Sequence, residues 1–158
     1  MSREYWKAGT FIYPIPAVMV TSGTYENANI MTVAWTGIIN TNPAMCYISV
    51  RPERYSYNLI KENGEFVKCP LIKESPVTVE CKVKEIKELG SHHMIIADVL
   101  SIDADKEYID KNGSFDISKC NLISYSNGKY YTTGKKIGKF GFSVEKKKNK
   151  TKNNSIKG

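Results

Sequence analysis

Between Val77 and Lys84 the chain alternates residue by residue, with Val77, Val79, Cys81 and Val83 set against Thr78, Glu80, Lys82 and Lys84. A period of two is the mark of a β-strand with one face turned to water. Leu89-Gly90 breaks the run, and His93–Ile102 is a more apolar stretch that reads as its more deeply buried hairpin partner. Further strands are predicted over Ala17–Thr21, Ala28–Thr36, Ala44–Val50 after the Asn42-Pro43 turn, and Tyr125–Thr132 around Asn127-Gly128. Helical spacing is confined to two places. Over Arg54–Asn63, Tyr55, Leu59 and Ile60 share a face, Ser56 or Glu53 stands near the start, and Asn63-Gly64 is a stop; Glu107–Lys111 is a shorter candidate. Many short antiparallel strands with one or two short helices predict a mainly β fold, a small closed or partly open barrel. Such a barrel encloses a core but no large cavity, so a large ligand is expected at the rim or at a subunit interface.

The chain's 158 residues suit one domain. Its net charge of +7 is concentrated at one end: Lys146, Lys147, Lys148, Lys150, Lys152 and Lys157 all follow Glu145, which leaves residues 1–145 nearly neutral. Residues 1–145 are therefore read as the barrel domain and 146–158 as a disordered basic tail. Aromatic and basic residues do not interleave on one surface, so a nucleic-acid partner is not expected. Apolar runs such as Met94–Ala97 are far too short to span a bilayer, and no signal peptide is visible. No membrane association and a cytoplasmic location are expected. Cys46, Cys69, Cys81 and Cys120 lack the paired spacings of a zinc site or disulfide framework. They read as free thiols, with Cys46 and Cys81 as small apolar residues in strands, and no metal is expected.

Three segments carry residues suited to chemistry. In Asn29–Gly37, Asn29, Thr32 and Thr36 place amide and hydroxyl groups beside Trp35 and a glycine. That mixture suits a planar heteroaromatic ligand with a polar edge, and equally a core strand with a buried tryptophan. Ser49–Ser56 runs from a strand end into a helix start, where unpaired N–H groups, Arg51, Arg54 and Ser56 suit an anion; an exposed arginine pair with a capping serine fits the same residues. Gly90–Met94 holds both histidines. Neighbours on a strand point to opposite faces, so His92 and His93 cannot readily share a metal, and one is expected to be active and the other solvated.

In order, these blocks resemble the flavin reductase-like, flavoredoxin-type FMN-binding split barrels. The resemblance runs through Asn29–Gly37, Asn42-Pro43, Ser49–Ser56, Pro76–Val83, Gly90-Ser91-His92, Tyr125–Tyr131 and Gly134–Ser143, and covers nearly all of residues 5–145. It implies a Greek-key split β-barrel and a homodimer holding FMN near the interface. By position it assigns Asn29, Thr32, Trp35 and Thr36 to the flavin strand and Ser49, Arg51, Arg54, Tyr55 and Ser56 to the phosphate segment. His92 matches a histidine close to the flavin or its reductant, the candidate catalytic group, and Tyr125 and Tyr130 fall near the pocket mouth. One departure stands out: Val67 runs through Lys68-Cys69 straight into Pro70, where relatives carry an excursion of some tens of residues covering part of the flavin site. The implied activity is electron transfer from NADH or NADPH through FMN to an unidentified acceptor. Two alternatives remain open: a flavoredoxin-like carrier reduced by a redox partner protein, and a non-catalytic barrel that lost its flavin with the missing segment.

Overall fold

The computed structural model describes residues 2–63 and 69–139. The expected basic tail and the start of the expected shortening, at Val67-Lys68, lie outside the described residues. Among the described residues nine strands and one α-helix follow in the order β1 (Ile15–Pro16), β2 (Val18–Ser22), β3 (Asn29–Val33), β4 (Thr36–Thr41), β5 (Ala44–Val50), α1 (Tyr55–Glu62), β6 (Val77–Glu88), β7 (His93–Ala104), β8 (Ile123–Ser126) and β9 (Lys129–Thr132). The strands pair antiparallel in three sheets, ordered β1-β8-β9, β2-β3 and β4-β5-β7-β6, and the sheets do not close on one another. The architecture is the mainly β split barrel that the strand pattern and the family resemblance imply.

The expected strand Ala28–Thr36 proves to be two. Pairing with β2 ends at Val33, Ala34-Trp35 step out of the ladder, and Thr36 begins a hairpin with β5 across Asn42-Pro43, a cis peptide. No Gly, Pro, Asn or Asp marks the break, and Trp35 is itself a strand-favouring residue. The Asn127-Gly128 turn forms as its composition predicts, with φ of 45° and 82° closing the β8–β9 hairpin. The predicted helix at Glu107–Lys111 shrinks to a 3-10 turn over Lys106–Tyr108, started by Asp105, whose side chain accepts from the Glu107 amide.

The core gathers where β5, β7 and α1 meet. Val50, Tyr57 and Ile95 are buried together, with Met31, Ile48, Ile60, Val83 and Ile86 packed around them. The alternation that predicted β6 changes phase partway: a register shift between Val83 and Glu85 turns both Val83 and Ile86 toward the core. Helix α1 departs from its expected face. Ser56, Tyr57 and Leu59 are buried, while Tyr55 stands largely exposed. As the first helical residue, Tyr55 leans back beyond the turn that covers its neighbours, and its hydroxyl donates to Asn27 Oδ1 at 2.8 Å.

Candidate functional site

The turn from β5 into α1 is the centre of the site. Val50 is anchored in the core, so Arg51–Arg54 must leave the barrel on a short excursion that the Arg54 amide, donating to the Arg51 carbonyl at 3.0 Å, closes. Arg54 then stands at the N-cap position of α1 without a side-chain cap, and no acidic residue occupies the first turn. The first helix N–H groups are therefore left without a side-chain cap, directly after two arginines in the sequence, a combination suited to an anion. Arg51 Nε lies 3.8 Å from Glu53 Oε2, both side chains exposed, so this ion pair is weak and leaves Arg51 available.

Ser56 is not the expected cap. It lies inside the helix, 1% exposed, and its Oγ accepts from Asn29 Nδ2 at 2.6 Å. Asn29 and Ser56 are thus brought together from positions 27 residues apart. Directly across the β2–β3 ladder from Asn29 is Ser22, 5% exposed, whose Oγ has no hydrogen-bond partner among the described residues. A buried hydroxyl without a partner costs roughly 1–3 kcal/mol, so this corner holds polar capacity that the chain alone does not satisfy. Ser22 was not singled out from sequence: a serine before a glycine reads as ordinary turn chemistry, and its pairing to Asn29 appears only once the hairpin register is known.

On the other side of the turn, Trp35 and His92 meet edge to face, with ring centroids 4.4 Å apart. Trp35 is held by its carbonyl, which accepts from the Ser49 amide at 2.7 Å, and Thr36 Oγ1 donates to the Tyr47 carbonyl at 2.7 Å. The tryptophan is 40% exposed, so part of its ring is free for a ligand. His92 Nδ1 bonds to Ser91 Oγ at 3.0 Å, which directs Nε2 away from the turn. Partial burial first, and the Arg51 charge second, push the His92 pKa below its ordinary value, with Glu53 opposing them. His93 departs from expectation. It is half-buried, not solvated, and its Nδ1 bonds to the Tyr57 hydroxyl at 2.8 Å inside the barrel.

The structure therefore brings Asn29, Tyr55 and Ser56 into one patch and Trp35, Ser49, Arg51 and His92 into another, with Arg54 at the start of α1. It does not bring in every predicted residue. Thr32 sits three positions along β3 from Asn29, an odd step, and faces outward from the opposite side of the strand. Tyr125 packs edge to face against Tyr130 at 5.5 Å and against Tyr13 at 5.9 Å, in an aromatic cluster of its own. The site is open. Two hollows, of about 290 Å³ beside Leu71 and Asp103 and about 330 Å³ beside Trp6 and Phe11, are lined by none of the predicted residues. No group of three or more metal-ligating side chains occurs among the described residues, and no helix among them is long and apolar enough to cross a membrane.

Residues 10–67 match the model of the flavin reductase like domain, a match that ends where the sequence analysis places the shortening. An uncharacterised protein of Archaeoglobus fulgidus is 25% identical over 162 residues, covering 78% of this chain and 90% of its own length. That span exceeds the covered share of the present chain, so the relative holds tens of residues with no counterpart here. Among solved structures, flavoredoxin of Desulfovibrio vulgaris (Miyazaki F) superposes with a TM-score of 0.81 at 22% identity, covering 91% of this chain and all of that one. An FMN-binding protein of Thermus thermophilus superposes at 0.67 with 17% identity, covering 83% and 96%.

Proposed function

We propose that this flavin reductase-like chain binds FMN and works as an oxidoreductase, passing electrons from NADH or NADPH through the flavin to another acceptor. The observation that carries the reading is the uncapped N-terminus of α1, directly after Arg51 and Arg54, together with the unpartnered Ser22 hydroxyl beside the Asn29–Ser56 bond and the partly exposed Trp35. These residues fit the cofactor's two ends. The α1 amides, Ser49, Arg51, Arg54 and Tyr55 would hold a phosphate, with Ser56 buried behind them and bonded to Asn29. Asn29, Trp35 and Thr36 would offer hydrogen bonds and an apolar edge to a planar ring system, with Thr32 on the opposite face of β3.

When bound, FMN supplies the hydride and single-electron chemistry that side chains lack. The chain's own contribution is binding, orientation and charge. Arg51 is a fixed cation beside the site, and His92, kept neutral through more of the physiological range, is placed to orient a reductant or hold a proton at Nε2. We further propose a homodimer in the cytoplasm. Its support is the apolar surface of β4, where Ile38 is 85% exposed and Ile39 and Trp35 lie close by in sequence, together with the open site, which a second copy would cover.

The test is a visible absorption spectrum of the full chain after FMN is added and the excess removed. Retained flavin bands, lost or at least tenfold weaker in retention for Arg51→Ala, are the expected result; a charge-assisted contact of this kind contributes about 1.5–3 kcal/mol. Consumption of NADH or NADPH by the loaded protein then separates the reductase from a carrier reduced by a protein partner. No retained flavin rejects the reading and leaves a non-catalytic barrel.

A further inference from the structure

Cys46 and Cys81 stand 35 residues apart, on strands that never pair with each other, yet their sulfurs are 3.6 Å apart. Spacing in the sequence conceals the pair, and the ladder register creates it. Cys46 on β5 lies opposite Ala97 of β7, and Cys81 on β6 lies opposite Val99 of the same strand. Residues directly opposite in a ladder share a face, so both side chains leave the same side of the sheet and lean toward each other across β7. The small Ala97 leaves room for them there. Two strand spacings of about 4.8 Å separate the backbones, more than the roughly 7 Å within which a disulfide closes. The sulfurs therefore stay free thiols held side by side, Cys46 half-buried and Cys81 exposed.

We propose that Cys46 and Cys81 are the two thiolate ligands of a site for a soft monovalent cation, copper(I). Span and ligand count both point to it. With metal–sulfur bonds of the zinc–thiolate length, about 2.3 Å, two sulfurs on one ion stand roughly 3.8 Å apart at a tetrahedral angle and roughly 4.0 Å at a trigonal one. The observed 3.6 Å falls only a few tenths of an ångström short, which side-chain rotation at either cysteine supplies without moving a strand. A sulfur pair too distant in backbone for a disulfide thus has the bite of a metal ion. The ligand count selects which ion. Among the described residues no group of three or more His, Cys, Asp or Glu side chains could hold a metal, so the chain offers two sulfurs. Protein zinc sites take three or four such ligands, and calcium and magnesium take oxygen. Copper(I) is soft, prefers thiolate and keeps a low coordination number, so two cysteines hold it and leave a third position for a thiol from solution. On binding, each cysteine gives its proton to solvent and a sulfur lone pair to the ion, and the copper stays in its +1 state.

The experiment uses the reduced full-length chain without oxygen, copper(I) supplied as its coloured bicinchoninate complex, and zinc(II) in a parallel run. The expected result is one copper(I) drawn from the chelator per chain, read as loss of the complex's visible absorption. In Cys46→Ser and in Cys81→Ser the affinity falls at least about 100-fold, because a lost ligand outweighs the outer-shell partners whose loss costs roughly 10–100-fold. Cys69→Ser and Cys120→Ser bind as the parent does. Blocking with N-ethylmaleimide and peptide mapping by mass spectrometry give a second readout on the parent chain alone. Copper(I) shields Cys46 and Cys81 together, while Cys69 and Cys120 react as they do in the metal-free chain. Zinc(II), with half its tetrahedron unfilled by protein, is lost on desalting. The proposal is overturned by copper(I) that stays on the chelator, or by undiminished binding in Cys46→Ser or Cys81→Ser. Shielding of only one of the pair, shielding of Cys69 or Cys120, or equal retention of zinc(II) would overturn it as well. The shielding map decides even if a variant fails to fold, and no readout depends on flavin.

Discussion

His92 shows how a single side chain reports the site around it. Its imidazole is partly buried against Trp35, and burial and Arg51 depress its pKa from the ordinary 6.5 while Glu53 pulls the other way. The depressed value means that the fold favours neutral His92. Its contribution to stability is therefore complete above the unfolded value and is lost as pH falls from there through the folded value, because the unfolded chain takes up the proton first. Two substitutions separate the causes. Arg51→Ala removes a cation and raises the His92 pKa; Glu53→Gln removes an anion and lowers it further. Proton NMR titration of the imidazole ring in a His93→Gln background reads both shifts, and titration curves that stay in place in both variants would detach the two charges from His92. The separation of His92 from His93 was legible, since neighbours on a strand face opposite ways. That His93 would find the Tyr57 hydroxyl was not, because the two lie 36 positions apart in the chain. The same distinction divides the phosphate segment: Arg51 and Arg54 beside a helix start are visible in eight consecutive letters, whereas the Asn29–Ser56 bond and the orphaned Ser22 need the tertiary register.

At the scale of the elements, β5 emerges with the bounds that its flanking turn and apolar run predict, Ala44–Val50, and the β6–β7 hairpin follows from alternation and Gly90. The phase changes inside β6 were not legible, because a bulge inserts a residue without any required residue type at Val83–Glu85. Gly37 illustrates a constraint that only the paired strands reveal. It lies opposite Tyr47 across β4 and β5, and a Cβ at position 37 would sit 2.9 Å from Tyr47 Cε1. Two effects compete in Gly37→Ala. Removing backbone freedom from a strand glycine favours the fold by roughly 0.5–1 kcal/mol, while displacing a packed ring costs about 1–3 kcal/mol. The ring should win, so Gly37→Ala lowers the unfolding midpoint in urea. In a Tyr47→Ala background the same substitution should become neutral or stabilising, since the obstruction is gone. Equal losses in both backgrounds would place the cost elsewhere in the strand.

Among the described residues the three sheets stay unclosed and much apolar side-chain surface lies uncovered, Ile38 on β4 and Leu100 and Ile102 near the end of β7 among it. Scattered exposed apolar residues are ordinary on any surface. A residue as exposed as Ile38 is another matter when its strand begins beside Trp35, because the surface then runs from the sheet to the candidate site. A second copy placed there would cover β4 and wall the open side of the flavin position at once, which is the physical content of the homodimer proposed above. Sedimentation velocity should therefore find the parent chain as a dimer at micromolar concentration. Ile38→Lys should sediment as a monomer with its fold intact by circular dichroism, because a buried ammonium in a two-fold contact is met by its own symmetry mate as well as by lost apolar contact. The same monomer should retain FMN more weakly than the dimer if the second copy walls the site. A parent chain that sediments as a monomer would reject the dimer, and a monomeric Ile38→Lys chain with undiminished flavin retention would confine the site to a single copy.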